Sequence, residues 1–319
     1  MITYVLAFCA SLVNATANVM NRKAARDEPD QAEFRLRLII DLLHRKVWLA
    51  AIGLMIVSFA LAAAALGTGQ LATVQLIVVL ELPMTIIGGA LLFGTRLRAR
   101  DWAAIALMTG GVIALLALLD PRPGPATAIS PAVWLLGSAA NIGAVVILFL
   151  AARAHPAPAA RASLLGMATG LCYGLTAAYT KGMADQFNAG GITAIFTSWQ
   201  LYACMTAGAG AAWLLENAYQ AGPLAASQPG ITLIDPVIST TWGIMVFGEQ
   251  VNHGLLLALA PLPLLAAIGG VLTLSTSPIL RATQTGKGKQ RPRSAPAARP
   301  DAVVVLASEP VRRDGPPGS

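Results

Sequence analysis

QLIVVLELPMTIIGG, residues 75–89, holds one carboxylate, Glu81, and one proline, Pro83, in an otherwise strongly apolar run. PGITLIDPVISTTWG, residues 229–243, repeats the arrangement with Asp235 and Pro236. Each acid belongs to an apolar stretch long enough to cross a bilayer, which takes about 20 residues as a helix. Glu81 is the eleventh residue of the expected span 71–93, and Asp235 the twelfth of the expected span 224–247, so both fall near mid-membrane. An acid at that depth costs about 2.5–3.5 kcal/mol on insertion scales, and its retention marks a candidate functional site. The prolines sharpen that reading. Proline lacks an N–H and its ring crowds the carbonyl four residues earlier, so Pro83 is expected to free the carbonyl of Val79, and Pro236 that of Thr232. Carboxylates beside freed carbonyls suit a hard cation or a proton relay.

Working outward, the whole chain shares this character. Of its 319 residues, 56% are hydrophobic and 12% charged, with a mean hydropathy of +0.66. That charged fraction is about half the roughly one quarter of soluble domains, so the chain reads as an all-α integral membrane protein. Nine spans are expected, at 2–20, 47–66, 71–93, 102–119, 132–151, 162–180, 192–215, 224–247 and 254–274, separated by loops rich in Pro, Gly and charge. The first run lacks a basic n-region and is interrupted by Asn14 and Asn18, so it reads as a retained helix rather than a signal peptide. The net charge of +7 follows from loop charges and not from a nucleic-acid surface. With the N-terminus outside, the cytoplasmic loops and tail hold 20 of the 22 Lys and Arg residues, leaving only Arg122 and Lys181 on the other side. The positive-inside rule therefore places the protein in the cell membrane with N-terminus out and C-terminus in. Residues 36–46 form an amphipathic stripe, expected either as an interfacial helix or as a simple extension of the second span. Residues 276–319, rich in Pro, Gly, Arg and Lys, read as a disordered basic cytoplasmic tail. Cys9, Cys172 and Cys204 lie in apolar runs without metal or disulfide spacing, and read as core residues.

The two acid-bearing stretches are parts of a longer internal similarity. Residues 46–93 lie on 199–246 without a gap; Gln75 meets Gln228 and Pro83 meets Pro236, while Asp235 falls one position away from Glu81. GGVIALL (110–116) resembles GGVLTLS (269–275), and LVNATANVMNRKA (12–24) resembles LCYGLTAAYTKGM (171–183). The units are residues 1–151, with five spans, and residues 162–275, with four. An odd number of spans inserts the second unit upside down, giving an inverted 5+4 repeat. Inverted repeats are characteristic of secondary transporters, with substrate between the halves near the midplane.

FGTRLRARDWAAIALMTGGVIALL (93–116), its echo FGEQVNHGLLLALAPLPLLAAIGGVLTL (247–274), and a basic residue closing the first span of each unit (Arg22, Lys181) resemble the drug/metabolite transporter superfamily in its EamA-like form. NRKAAR (21–26), nine spans and ALGTGQLATVQLIVVLELP (65–83) resemble, more distantly, its NIPA-type magnesium-transporting branch. The resemblance covers about residues 1–275 and implies transport of a small solute. It departs where the acid that usually follows the third-span glycine is Thr95, whereas Gly248-Glu249 keeps it.

Glu81 and Asp235 are thus the expected ion ligands, for a metal or a proton, with Gln75, Gln228, Asn14 and Asn18 as polar lining and Pro83 and Pro236 as helix kinks. Asn141 and Gln200 could line the same cavity, and Trp199 and Trp242 could face a substrate. Each of these equally reads as helix glue or packing. No nucleophile–base–acid arrangement, paired-histidine metal spacing or Walker A loop is visible, so neither an enzyme nor an ATP-driven pump is expected. No resident cofactor is implied beyond a transported magnesium ion or a coupling proton. The expected function is alternating-access transport, with magnesium as cargo ahead of proton-coupled export of an organic solute. The competing class is a non-transporting scaffold whose basic tail recruits partners. Membrane lipid and a small solute are the implied partners, nucleic acid is not, and small-residue faces such as GAGAA (208–212) permit a homodimer without requiring one.

Overall fold

The computed structural model describes residues 1–26, 46–124, 129–252 and 258–276. All regular structure among them is helical, apart from one isolated bridge between Arg122 and Gln250. Apolar stretches without water must satisfy their backbone groups internally, and the helix does so within one segment. The helices are α1 (Ile2–Arg26), α2 (Lys46–Thr68), α3 (Leu71–Val78), α4 (Glu81–Phe93), α5 (Ala99–Leu119), α6 (Pro131–Ala154), α7 (Pro158–Thr197), α8 (Trp199–Ala221), α9 (Leu224–Met245) and α10 (Pro261–Ser275). Among the described residues, five segments are long and apolar enough to cross a membrane: Ile2–Asn21, Leu49–Thr68, Leu71–Leu92 (α3 and α4 together), Ala99–Leu119 and Pro131–Ala154. Large apolar side chains point outward along them, among them Ile56, Leu91, Leu135 and Ile147. This is the make-up of a membrane protein.

Local signals end the helices where physical chemistry expects. Ser130 caps α6, its hydroxyl accepting from Val133 N–H, with Pro131 at the first helical position. Asp101 reaches back from the first turn of α5 to the Arg98 N–H at 3.0 Å. Two boundaries differ from the sequence reading. The helix beginning at Pro158 continues past residue 180 as far as the NAGG stretch (188–191), where Gly191 leaves helical geometry (φ 70°); a short helical piece then runs to Thr197, and a second break follows at Ser198. The last helix starts at Pro261, and residues 253–257 lie outside the described residues, as do 27–45, with most of the expected interfacial helix, and the tail from 277.

Two close approaches organise the bundle. Helices α5 and α10, which carry the two GGV stretches, meet glycine-first. A Cβ at Gly111 would lie 2.6 Å from the Pro263 carbonyl, and one at Gly270 would lie 2.8 Å from that of Ala104. Helix α9 lies equally close on α7, where a Cβ at Gly170 would stand 2.9 Å from the Gly230 carbonyl, one turn before Asp235.

One set of helix ends is clasped together. Thr3 donates to the Thr68 carbonyl at 3.0 Å, Asn188 to that of Gly67 at 2.7 Å, and Arg122 and Gln250 exchange backbone bonds at 2.8 and 3.0 Å. The Glu249 carboxyl accepts from the N–H groups of Leu71 and Ala72, the latter at 3.0 Å. These contacts gather the starts of α1 and α3, the end of α2, the loop after α5, the outer part of α7 and the loop after α9. Beneath the clasp lies a core cluster that includes Leu71, Val74, Ile77, Trp134, Tyr179 and Trp242.

Candidate functional site

The span 71–93 is broken at Val79 and Leu80, and Pro83 explains the break. With no N–H at position 83, the Val79 carbonyl loses its helical donor. It is not left free, as the sequence reading expected: the chain tightens by one residue and Leu82 N–H donates to it at 3.3 Å, while Leu80 N–H donates to Ile77 at 2.9 Å. The consequence lies one step further on. Glu81 becomes the first residue of α4, where the positive end of a helix dipole favours a carboxylate.

Helix α1 supplies the partners. Asn14 and Asn18 are one turn apart and share a face. Asn14 Nδ2 donates to Glu81 Oε2 at 2.7 Å, and Asn18 Nδ2 donates to Glu81 Oε1 at 2.6 Å. Each carboxylate oxygen therefore receives its own amide. These three residues were singled out separately in the sequence, and the structure joins them. All three remain partly accessible.

Asp235 sits on α9 between two prolines, 229 and 236, through which the helix continues. Ser239, one turn on, donates to Asp235 Oδ1 at 3.1 Å, and Gln75 Nε2 from α3 donates to Ser239 Oγ at 3.1 Å. Gln75 is thus linked to Asp235 through a hydroxyl. Gln75 and Ser239 are buried, and Asp235 is partly accessible. Glu81 and Asp235 lie within electrostatic reach of each other, and Tyr173 of α7 within reach of both. Gln228, the repeat partner of Gln75, does not join them: its amide stays on α9, donating to Thr232 Oγ1 at 3.4 Å. Asn141 serves packing, its amide oriented to donate to the Leu171 carbonyl and accept from Trp242 Nε1, both at 3.3 Å.

Three features escaped the sequence reading. Ser239 could have been found, since it follows Asp235 by four residues and shares its helix face. Glu249 was noticed as a motif remnant, but its capping of α3, 178 residues away, is a tertiary fact. Burial pushes the Glu249 carboxyl above the ordinary carboxylate range. The N–H groups of Ala72 and Leu71 and the Lys181 ammonium pull it back, and Asp185 adds to the rise. The third feature is a cavity of about 590 Å³ at the clasped end, walled by Trp134, Tyr179, Trp199 and Phe247. Gln200 and Trp199 line it, whereas Trp242 packs behind it against Trp134, ring centroids 5.5 Å apart. Neither Glu81 nor Asp235 lines this cavity. Among the described residues, no group of three or more His, Cys, Asp or Glu side chains gathers to hold a metal ion.

Comparison with known proteins places the chain beside a relative without assigning its role. It is 26% identical over 253 residues to an uncharacterised protein of Corynebacterium glutamicum, covering 78% of this chain and 86% of that one. No family model matches the sequence, and no solved structure matches it.

Proposed function

We propose that the chain is a secondary transporter, built as an inverted 5+4 repeat of about nine spans with N-terminus out, and that the Glu81–Asp235 pair carries its coupling cation. The observation that carries this reading is the broken span. It sets a carboxylate at the start of a half-helix, forked by two amides, within electrostatic reach of a second acid on α9. Discontinuous helices with polar groups at the break are how transporters of this architecture bind ions. The meeting of α5 and α10 through matching GGV stretches, and the clasping of alternate loops at one end, support the repeat and the alternation of spans. Arg122 and Lys181 belong to the clasped end, whereas Arg96, Arg98, Arg153 and Arg161 belong to the other, which supports a cytoplasmic position for the latter.

A proton fits the surroundings best. The groups aimed at the acids are amide N–H and hydroxyl donors, which stabilise the charged carboxylates and present no amide oxygen to a metal. Magnesium remains the second reading, favoured by the nearness of the two carboxyls. An ion that keeps most of its water needs only one or two of them, although Asn14 and Asn18 would have to turn their amide oxygens inward. The scaffold alternative calls for acids sealed in helix contacts with no cavity reaching them; both acids keep some exposed surface, while the cavity at the clasped end does not reach them.

The test is flux into proteoliposomes carrying an internal pH dye, under imposed gradients of protons, of magnesium and of organic solutes. Solute-dependent proton movement in the wild type, lost in both Glu81→Gln and Asp235→Asn, is the expected result. Magnesium uptake without proton movement selects the second reading. Traces identical to empty vesicles under every gradient refute both.

A further inference from the structure

The cavity at the clasped end has a wall chemistry of its own. Trp134 is its centre, with ring centroids 5.9 Å from Tyr179, 5.2 Å from Trp199 and 5.6 Å from Phe247. The Trp199 and Phe247 rings meet Trp134 edge to face, at 86° and 89°, and the Tyr179 ring lies closer to parallel at 27°, so the rings pack into one cluster whose outer surfaces line the cavity. Tyr179 is fixed by donating its hydroxyl to Ser138 at 2.8 Å. The polar groups are few. Gln200 is only 6% exposed, lines the cavity, and its amide has no side-chain hydrogen-bond partner among the described residues. Among the described residues no buried side-chain nitrogen or oxygen lacks a partner, so the Gln200 amide is open to the cavity, where a bound polar group can reach it. Asp185 is the charged residue in the wall. It pairs with Lys181 at 2.7 Å, and Glu249 lies within electrostatic reach of both. The pairing uses Asp185 Oδ1, and the Asp185 side chain is still 45% exposed.

We infer that this cavity binds an organic cation: an ammonium group carrying apolar or aromatic substituents, its charge against the Trp134–Trp199 faces and Asp185, and a hydrogen-bonding group on Gln200. Aromatic faces present the negative part of their quadrupole to a cation, and Asp185 acts in the same sense. The walls exclude the other classes. Magnesium would have to shed tightly held water for one carboxylate already paired with Lys181 and a few neutral oxygens, which such a reluctantly dehydrated ion resists, and an anion would meet the ring faces and Asp185 together. The volume lies within the range of small-molecule sites. As a statement about the transported solute this rests on the transporter reading; as a statement about binding it does not.

The test is titration of the purified full-length protein in detergent with benzyltrimethylammonium, followed by tryptophan fluorescence. Uncharged N-benzylacetamide, of similar size, and magnesium chloride are the comparisons. Saturable quenching by the cation, at least about tenfold tighter than by the neutral compound, is expected. Trp199→Leu, at a half-exposed position that folding tolerates, should weaken it about two- to thirtyfold, the range of one cation–π contact. Asp185→Asn should weaken it by up to about fivefold, and both variants should elute as the wild type does on size exclusion. Equal binding of the neutral compound, or wild-type affinity in both variants, overturns the proposal. Saturable cation binding without flux in wild-type proteoliposomes keeps the site and removes the transporter reading.

Discussion

Glu249→Ala isolates the contact on which the clasped end depends. The carboxyl reaches from the loop after α9 to the first two N–H groups of α3, an end where Gln70 offers no side-chain cap. Leu71 and Ala72 are fully buried, so their N–H groups have no ready access to water. Each bond contributes about 0.5–1.5 kcal/mol net, and leaving a donor buried and unpaired raises the cost to about 1–3 kcal/mol. Water entering the vacated space offsets part of this, and losing a cap to alanine costs about 0.5–2 kcal/mol in general. The expected destabilisation is therefore about 2–3 kcal/mol. At roughly 2–4 °C per kcal/mol for chains of this order of size, melting in detergent should fall by about 4–12 °C. Glu249→Gln keeps one acceptor but turns an NH₂ toward the second donor, and should fall between. The pH dependence gives a second check. Burial outweighs the stabilising donors and holds the folded-state carboxyl above its ordinary value of 4.5, so the folded chain binds the proton more tightly than the unfolded one. Its contribution is complete below 4.5 and is lost as pH rises through the folded value. The advantage of wild type over Glu249→Gln should thus be largest at acid pH and shrink above it. If Glu249→Ala melts within about 1 °C of wild type, the capping argument is wrong; a Gln deficit that grows with pH would instead show that the donors outweigh burial at this carboxyl.

Asn14→Leu and Asn18→Leu each leave one Glu81 oxygen without its amide; each should slow solute-coupled proton flux about tenfold or more, with the double variant near the level of Glu81→Gln, since a bond to a charged group contributes about 1.5–3 kcal/mol. Ser239→Ala removes the hydroxyl between Gln75 and Asp235 and should reduce flux without changing expression, whereas Ser239→Thr should restore most of it. Gly170→Leu drives a side chain into the backbone of α9 beside Asp235; it should destabilise the protein by about 3 kcal/mol or more, visible as loss of a monodisperse peak in detergent.

What was legible in the sequence, and what was not, follows from the range of the forces involved. An acid in hydrocarbon is anomalous wherever its partners lie, so Glu81 and Asp235 stood out from composition alone. Asn14 and Asn18 stood out for the same reason, yet their convergence on Glu81 across more than 60 residues was not readable, because nothing local says which face of α1 meets the broken span. Pro83 was read as a source of a free carbonyl. Backbone groups in an apolar setting do not stay free, and the chain spent that freedom on a tighter turn, which moved the consequence from Val79 to Glu81. Gln75 and Gln228 matched in the repeat but part company in space. Gln75 finds Ser239, while Gln228 bonds within its own helix, so pseudo-symmetric position did not carry equal chemistry. The aromatic cavity was invisible for a related reason. Its four rings come from residues 134, 179, 199 and 247; of these only Trp199 stood out in the sequence as a residue that could face a substrate, and only the fold turns all four toward one space. The two sites therefore differ in kind. The acid pair is a local anomaly that the fold had to accommodate, whereas the cage exists only because of the fold. A solute that must visit both would be selected by the cage and driven by the acids, so variants of the first should alter which compound moves, and variants of the second how fast any compound moves.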